Sequence, residues 1–189
     1  MRWLSYGMMR LLGWRIEGDL PDIPKMVIIG APHTSNWDFF LFLGTIHHFH
    51  IRVKFLGKHS LFRWPFGAMF RKVGGIPVDR DQPGGIVRQV KEAFDQHDEM
   101  ILVIAPEGTR SAAPRWKSGF VEIAERAGVP IVLAGVDAQN KVLTISQAYE
   151  VGDDREVFMD EVRAFYADKD GINPAGKGPV RIAAERAGS

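Results

Sequence analysis

Short apolar runs alternate along the chain with longer segments whose apolar positions recur every three or four residues. The runs that predict strands are Met26–Gly30, Ile51–Leu56, Ile76–Val78, Met100–Ala105, Val129–Val136 and Val142–Ile145. The segments that predict helices are Trp37–Phe49, an aromatic-rich stretch before Gly74, Pro83–His97, Ser118–Ala127 and a last helix ending near Ala167. Because strands alternate with helices, we expect an α/β fold with a mixed, mostly parallel sheet flanked by helices.

The length of 189 residues predicts a single domain. We divide the chain into an amphipathic N-terminal segment (1–16), the α/β domain (17–170) and a tail (171–189) whose glycine, proline and alanine content predicts loose order. The first segment places apolar residues at near-helical spacing, with arginines among them, which predicts a short amphipathic helix. That helix either lies in a membrane interface or packs on the core, and the pattern favours neither.

Composition restricts the possible chemistry more than net charge does. Hydrophobic and charged fractions of 46% and 25% are typical of a globular protein. The absence of cysteine excludes disulfides, thiolate metal sites and cysteine nucleophiles, and is compatible with a reducing compartment. No apolar run approaches the roughly 20 residues of a membrane-spanning helix, so we expect none.

Positive charge is concentrated in one part of the chain. The segment from Ile51 to Arg80 carries seven basic residues and a single acidic one, Asp79. Such an excess suits an anionic ligand or an anionic membrane surface, and a solvated basic face is the alternative.

The segment APHTSNWD, Ala31 to Asp38, combines a histidine and an aspartate where a strand gives way to a helix. In open α/β sheets, ligands bind beyond the carboxyl ends of the strands, where His33 is expected. A histidine can accept a proton near neutral pH, and a carboxylate on its other ring nitrogen orients it. His33 is therefore a candidate base with Asp38 as its partner. Alternatively, Ser35 and Asp38 form a capping box at the start of a helix.

Two more charged loops, Asp79–Arg80 and Glu107–Arg110, also follow predicted strands, and parallel strands would bring all three loops to one edge of the sheet. Arg80 and Arg110 could bind a phosphate through their planar guanidinium groups. In the second loop, Gly108 permits close backbone approach, Thr109 offers a hydroxyl, and Glu107 could orient an arginine or accept from a substrate hydroxyl. The alternative is that the arginines form structural salt bridges with Asp79 and Glu107.

Other candidate sites are weaker. The histidines at 47, 48 and 50 have no acidic or cysteine partner at ligand spacing, so no metal site is expected. The segment GINPAGKG lacks the final Ser or Thr of a phosphate-binding loop and follows no strand. No G-x-S-x-G motif is present, so a serine nucleophile is not visible.

The segments PHTSNWD, GGIPVDR, APEGTRS and VPIVLA, in this order and spacing, resemble the four sequence blocks of the glycerolipid acyltransferase family, which includes the 1-acylglycerol-3-phosphate acyltransferases. The resemblance implies acyl transfer from a thioester of coenzyme A or acyl-carrier protein to a hydroxyl of a lysophospholipid or a related glycerolipid, with His33 as general base and Asp38 orienting it. It also implies substrate-binding residues, namely Lys58, Arg80, Glu107, Gly108, Thr109 and Arg110. The arginines are associated with the acceptor phosphate, and Lys58 with that phosphate or the thioester oxyanion.

Three residues depart from the family pattern: Pro32 replaces a common asparagine, Ala105 a phenylalanine and Leu133 a proline. These changes spare the chemical groups. We expect no cofactor beyond the acyl donor, no nucleic acid partner, and a cytoplasmic protein that binds peripherally to the anionic inner face of a membrane. Because no nucleophile is visible, direct transfer without an acyl-enzyme is expected. An acyl thioesterase and a catalytically idle lipid-binding protein are the alternatives.

Overall fold

A computed structural model describes residues 2–72, 74–78, 85–152 and 154–183. The strands in this part of the chain are β1 (Arg15–Glu17), β2 (Lys25–Ala31), β3 (Val53–Lys58), β4 (Gly75–Val78), β5 (Met100–Ile104), β6 (Ile131–Asp137) and β7 (Val142–Tyr149). The α-helices are α1 (Arg2–Leu11), α2 (Asp38–His48), α3 (Gly67–Lys72), α4 (Gly85–Gln96), α5 (Gly119–Ala127) and α6 (Arg155–Tyr166). Short 3-10 helices occupy His59–Phe62 and Pro174–Gly176.

The strands form one sheet in the order β1-β7-β6-β2-β5-β3-β4. Strands β2 to β6 are mutually parallel, whereas β7 runs antiparallel to β6 and β1 pairs in parallel with β7. This arrangement confirms the expected single α/β domain with a mixed, mostly parallel sheet. Strand β1 was not predicted, because three residues at a sheet edge are too short to show a period, and the expected boundary at residue 16 falls within it.

The central strands are buried on both faces, which explains their almost continuous apolar sequences. In β2, Val27 and Ile29 pack into a core with α4, α5 and α6. The intervening Met26 and Ile28 face a second core that includes residues of α1 and α2. The sheet is therefore covered by helices on both sides.

Helix α1 packs on the core along one side, which is one of the two alternatives that its sequence left open, and the membrane-interface alternative stays a prediction. Met9 is buried in the core beside α2, and the ring of Tyr6 lies 5.0 Å from that of His48. At the end of the same helix, Leu11 is 87% exposed, and Leu12 is exposed as well. One side of the helix is thus packed on the domain while its C-terminal end remains in solvent. None of the helices in the described ranges is long and apolar enough to cross a membrane.

The carboxyl ends of β2 to β6 lie at one edge of the sheet, which we call the carboxyl rim. Residues 32–37, the turn from His59 to Phe66, the loop 105–118 and the turn 138–141 all leave strands at this rim. The end of α1 reaches it too, because Lys141 Nζ donates to the carbonyl oxygen of Leu12 at 3.0 Å.

The described part of the tail, residues 171–183, is packed, in contrast to the loose order that its composition predicted. The Asn173 N–H donates to Thr34 Oγ1 at 3.0 Å, the Trp116 N–H donates to the Arg181 carbonyl at 2.7 Å, and Ile182 is buried. A Cβ on Gly178 would collide with the carbonyl oxygen of Ala113. Glycine here permits close backbone packing, so the glycine content did not indicate loose order in residues 171–183.

Candidate active site

His33 is the second residue after β2, and Asp38 is the first residue of α2. The two side chains meet, with His33 Nδ1 3.0 Å from Asp38 Oδ2, and are 33% and 9% exposed respectively. Because an ionised carboxylate can only accept, this contact places the ring hydrogen on Nδ1. Nε2 then keeps its lone pair and can accept a proton.

The carboxylate of Asp38 also organises the loop before α2. Its Oδ2 accepts from the backbone N–H groups of Thr34 and Ser35, both at 2.8 Å. Only half of a capping box is formed, because Ser35 Oγ accepts from the Trp37 N–H at 3.2 Å instead. The same oxygen, Asp38 Oδ2, contacts His33 and accepts from the backbone at the start of α2. The sequence presented these two contacts as alternatives.

Glu107 lies in the turn after β5 and is 6% exposed. Its Oε1 accepts from the backbone N–H of His33 at 3.0 Å, and its Oε2 has no hydrogen-bond partner within the described ranges. Burial raises the pKa of Glu107, although the His33 N–H bond opposes this shift. The structure therefore places Glu107 against the His33 backbone, and it does not pair Glu107 with Arg110.

Two buried carboxylates consequently bracket one histidine, Asp38 at its ring and Glu107 at its backbone. In the described part of the chain, Asp38 Oδ1, like Glu107 Oε2, has no partner. The negative charge of Asp38 contributes to raising the pKa of Glu107, and the charge of His33 lowers it. The two carboxylates therefore hold His33 from two sides, one through its ring and the other through its backbone.

The loop from Glu107 to Arg110 lies against the loop that carries His33. An Arg110 guanidinium nitrogen donates to Asn36 Oδ1, and both side chains are exposed. Thr109 is exposed and its hydroxyl accepts from the Ser111 N–H at 3.3 Å. The structure therefore brings an exposed guanidinium and a hydroxyl to the same rim as the histidine.

Gly108 adopts a φ of +66°, a conformation that favours glycine. A Cβ there would lie 2.8 Å from Lys117 Cε and 3.0 Å from Lys117 Nζ, so the lysine passes directly over this glycine. The sequence analysis did not single out Lys117. Its position two residues before α5 carries no local signal that would have identified it.

Two predicted site residues cannot be placed fully. Strand β3 ends at Lys58, which pairs with Val78 at the end of β4, so the Lys58 backbone lies at the carboxyl rim. Its side chain, and the whole of Asp79 and Arg80, fall outside the described residues. The contribution of Arg80 to a phosphate site stays a prediction.

A groove of about 320 Å³ lies between α1 and α2 on the carboxyl rim. Its lining is mostly apolar and includes Met8, Leu12, Trp37, Phe40 and Ile172. Across the described ranges, no three histidine, aspartate or glutamate side chains converge on a metal-sized position.

A profile of the acyltransferase family matches residues 15–136. This chain belongs to the acyltransferase family. The matched region contains His33, Asp38 and the loop from Glu107 to Arg110, so the family resemblance predicted from the four sequence blocks is confirmed. No curated protein sequence matches this acyltransferase significantly.

The fold of this acyltransferase is similar to the crystal structure of the 1-acyl-sn-glycerophosphate (LPA) acyltransferase PlsC from Thermotoga maritima. The TM-score is 0.61 at 16% sequence identity, over 88% of this chain and 75% of the PlsC chain. At this identity the likeness establishes a shared fold.

Proposed function

We propose that this acyltransferase moves a fatty acyl group from a thioester of coenzyme A or acyl-carrier protein to a hydroxyl of a lysophospholipid, with 1-acylglycerol-3-phosphate as the preferred acceptor. The observation that carries the proposal is the pairing of His33 Nδ1 with the buried Asp38 carboxylate in a chain of this family. The pairing leaves Nε2 available as a base at the rim where ligands bind in open α/β sheets.

In the proposed mechanism His33 Nε2 takes the proton of the acceptor hydroxyl as the oxygen attacks the thioester carbonyl carbon. A carbon–oxygen bond forms, the carbon–sulfur bond breaks, and the imidazolium returns the proton to the departing thiolate. Asp38 stabilises the transient positive charge, and Glu107 holds the His33 backbone in position. Acyl transfer is direct, because the sequence has no cysteine and no serine elbow to hold the acyl group.

The acceptor phosphate is proposed to bind Arg110 together with Arg80, near the Gly108 and Thr109 backbone. Arg110 supports this assignment because it is exposed and contacts the histidine loop through Asn36. Lys117, which lies over Gly108, adds a second cation on this side of the site. Lys58 is proposed to assist with the phosphate or with the thioester oxyanion, as the family resemblance implies.

The apolar groove beside α2 suits a fatty acyl chain, which supports a lipid substrate. The exposed leucines at the end of α1 support peripheral binding to a membrane. We place the protein in the cytoplasm, on the anionic inner face of the membrane.

The test is thiol release from a panel of acyl-coenzyme A and acyl-carrier-protein donors, with each lysolipid acceptor in turn. We expect release to require an acceptor and His33→Ala to lower kcat roughly 10²–10⁴-fold in a folded protein. Asp38→Asn should retain more activity, because an amide oxygen can still accept from the loop. His97→Ala is the control, since His97 is exposed and contacts only the Ala93 carbonyl among its described hydrogen bonds.

Four outcomes would contradict the proposal. Full activity in folded His33→Ala would remove the base from the mechanism. Thiol release that does not depend on an acceptor would indicate a thioesterase. Vesicle binding without any thiol release would indicate a catalytically idle lipid-binding protein. A mass increase of one acyl group after incubation with donor alone would reveal an acyl-enzyme.

A further inference from the structure

The segment after β3 projects aromatic side chains into solvent. Strand β3 reaches the carboxyl rim at Lys58, the 3-10 helix His59–Phe62 follows, and the chain then turns back through residues 63–67, which we call the aromatic turn. In this turn Trp64 is 93% exposed and Phe66 is 60% exposed. Large aromatic side chains that are exposed close together in the sequence indicate an interaction surface.

The aromatic turn is anchored by the buried side chain of Phe62 and by a backbone hydrogen bond. Phe62 is buried and its ring packs against that of Phe70 at a centroid distance of 6.1 Å. The Gly67 N–H donates to the Arg63 carbonyl at 2.9 Å, and a Cβ on Gly67 would collide with the Phe62 carbonyl oxygen. The exposed aromatic rings are therefore presented by an ordered turn with its own hydrophobic anchor.

The surroundings of the aromatic turn are positively charged. Arg63, Arg71 and Lys72 are exposed, and the sequence contains no acidic residue between Ile51 and Val78. Exposed aromatic rings among cations match the interface of a bilayer with anionic headgroups. A symmetric contact with a second copy of this chain is disfavoured, because it would bring the same cations of both copies together.

The location of the turn connects it with the candidate active site. It leaves β3 at the same rim as His33, and the sheet order places β3 to one side of β2 and β5. The exposed end of α1, with Leu11, reaches this rim on the opposite side, through the Lys141 contact. A flat surface touching both elements would face the histidine loop between them.

We propose that the aromatic turn inserts Trp64 and Phe66 into the headgroup layer of an anionic bilayer and sets the carboxyl rim against the membrane. The functional role of this orientation rests on the proposed lipid acyl transfer. The binding of the protein to the membrane does not depend on catalysis. Bound in this way, the protein presents His33 to an acceptor that stays in the bilayer.

The first test is sedimentation with vesicles of phosphatidylglycerol and phosphatidylcholine, against vesicles of phosphatidylcholine alone. We expect Trp64→Ala and Phe66→Ala each to lower the partition coefficient on the anionic vesicles roughly tenfold, and wild-type binding to weaken strongly without anionic lipid. Melting temperatures should stay unchanged, because both rings are exposed. The control is Val157→Ala. Val157 is an exposed apolar residue of α6, which follows the end of β7 at the rim opposite the carboxyl rim, so the variant should bind as wild type does.

The second test uses the absence of cysteine, which allows a nitroxide label at one chosen position. A label on Trp64→Cys should become inaccessible to a water-soluble relaxation agent when anionic vesicles are added, whereas a label on Val157→Cys should stay accessible. Equal partitioning of Trp64→Ala and Val157→Ala, or an unchanged label at position 64, would overturn the proposal. So would a lipid-free dimer that Trp64→Ala dissociates, since the turn would then be a protein interface.

These measurements are independent of the acyl-transfer assay. His33→Ala should bind vesicles as wild type does, so loss of the proposed reaction and loss of the proposed docking give different results. Vesicle binding with no thiol release would contradict the proposed function alone.

Discussion

Replacement of Glu107 distinguishes a residue that positions His33 from one that binds the acceptor. The family resemblance associates this glutamate with the acceptor, but the structure buries it and directs Oε1 to the His33 backbone N–H at 3.0 Å. Glu107→Ala removes the acceptor of that bond, whereas Glu107→Gln keeps an oxygen in its place. We therefore expect the alanine variant to act on turnover and the glutamine variant to restore much of it.

The size of the effect follows from the lost contact. A buried donor left without a partner costs about 1–3 kcal/mol, which is the expected decrease in the free energy of unfolding for Glu107→Ala. A displacement of the catalytic base by about 1 Å can lower turnover by roughly 100-fold. We expect kcat to fall by about this factor and the KM for the acceptor to stay unchanged.

The pH dependence of stability provides an independent readout. Burial raises the pKa of Glu107 above its ordinary value of 4.5, so the native state keeps a proton that the unfolded chain has already released. The stabilisation is complete below the ordinary pKa and is lost as the pH rises through the raised native pKa. Glu107→Gln has no such proton, so its unfolding free energy should increase relative to wild type across that window.

The assays are initial-rate kinetics with varied acceptor and urea unfolding at a series of pH values. Glu92→Ala is the control, because its carboxylate is exposed in an i,i+4 pair with Arg88 and should change stability by less than about 0.5 kcal/mol. An increased acceptor KM at constant kcat in Glu107→Ala would show that the carboxylate touches the acceptor. A glutamine variant as impaired as the alanine variant would show that the charge, and not the hydrogen-bond acceptor, is required.

Two further predictions concern the phosphate site and helix α1. Arg110→Lys keeps the charge but loses the planar fork, so it should raise the KM for a phosphorylated acceptor roughly tenfold and leave the KM for a neutral monoacylglycerol unchanged in initial-rate assays. An equal change for both acceptors would separate Arg110 from the phosphate. Met9→Ala should lower the free energy of unfolding by about 2–5 kcal/mol in urea, because Met9 is buried beside α2. Leu11→Ala, at an exposed position, should change it by less than about 0.5 kcal/mol, and similar losses in the two variants would contradict the packing of α1 described above.

Local patterns in the sequence were sufficient for the central architecture. Buried parallel strands need apolar side chains on both faces, so β2, β5 and β6 stand out as apolar runs, and parallel pairing brings their following loops to one rim. The proximity of His33 and Asp38 was one of two alternatives that the strand-to-helix junction offered, the other being a helix-capping role for Asp38, and the structure shows that Asp38 does both. The four family blocks lie within residues 15–136, the region that the acyltransferase profile matches.

The tertiary structure decided the features that depend on distant contacts. Glu107 accepts from a backbone group 74 residues away, and neither segment carries a local mark of that bond. The same applies to β1, which is defined only by its pairing with β7, and to the tail, whose glycines permit close packing against other loops. The burial of Met9 and the exposure of Trp64 likewise depend on which surfaces lie beside them. Periodicity encodes the face that a residue presents, but the partner that covers this face, or leaves it to solvent, is determined only when the whole chain has packed.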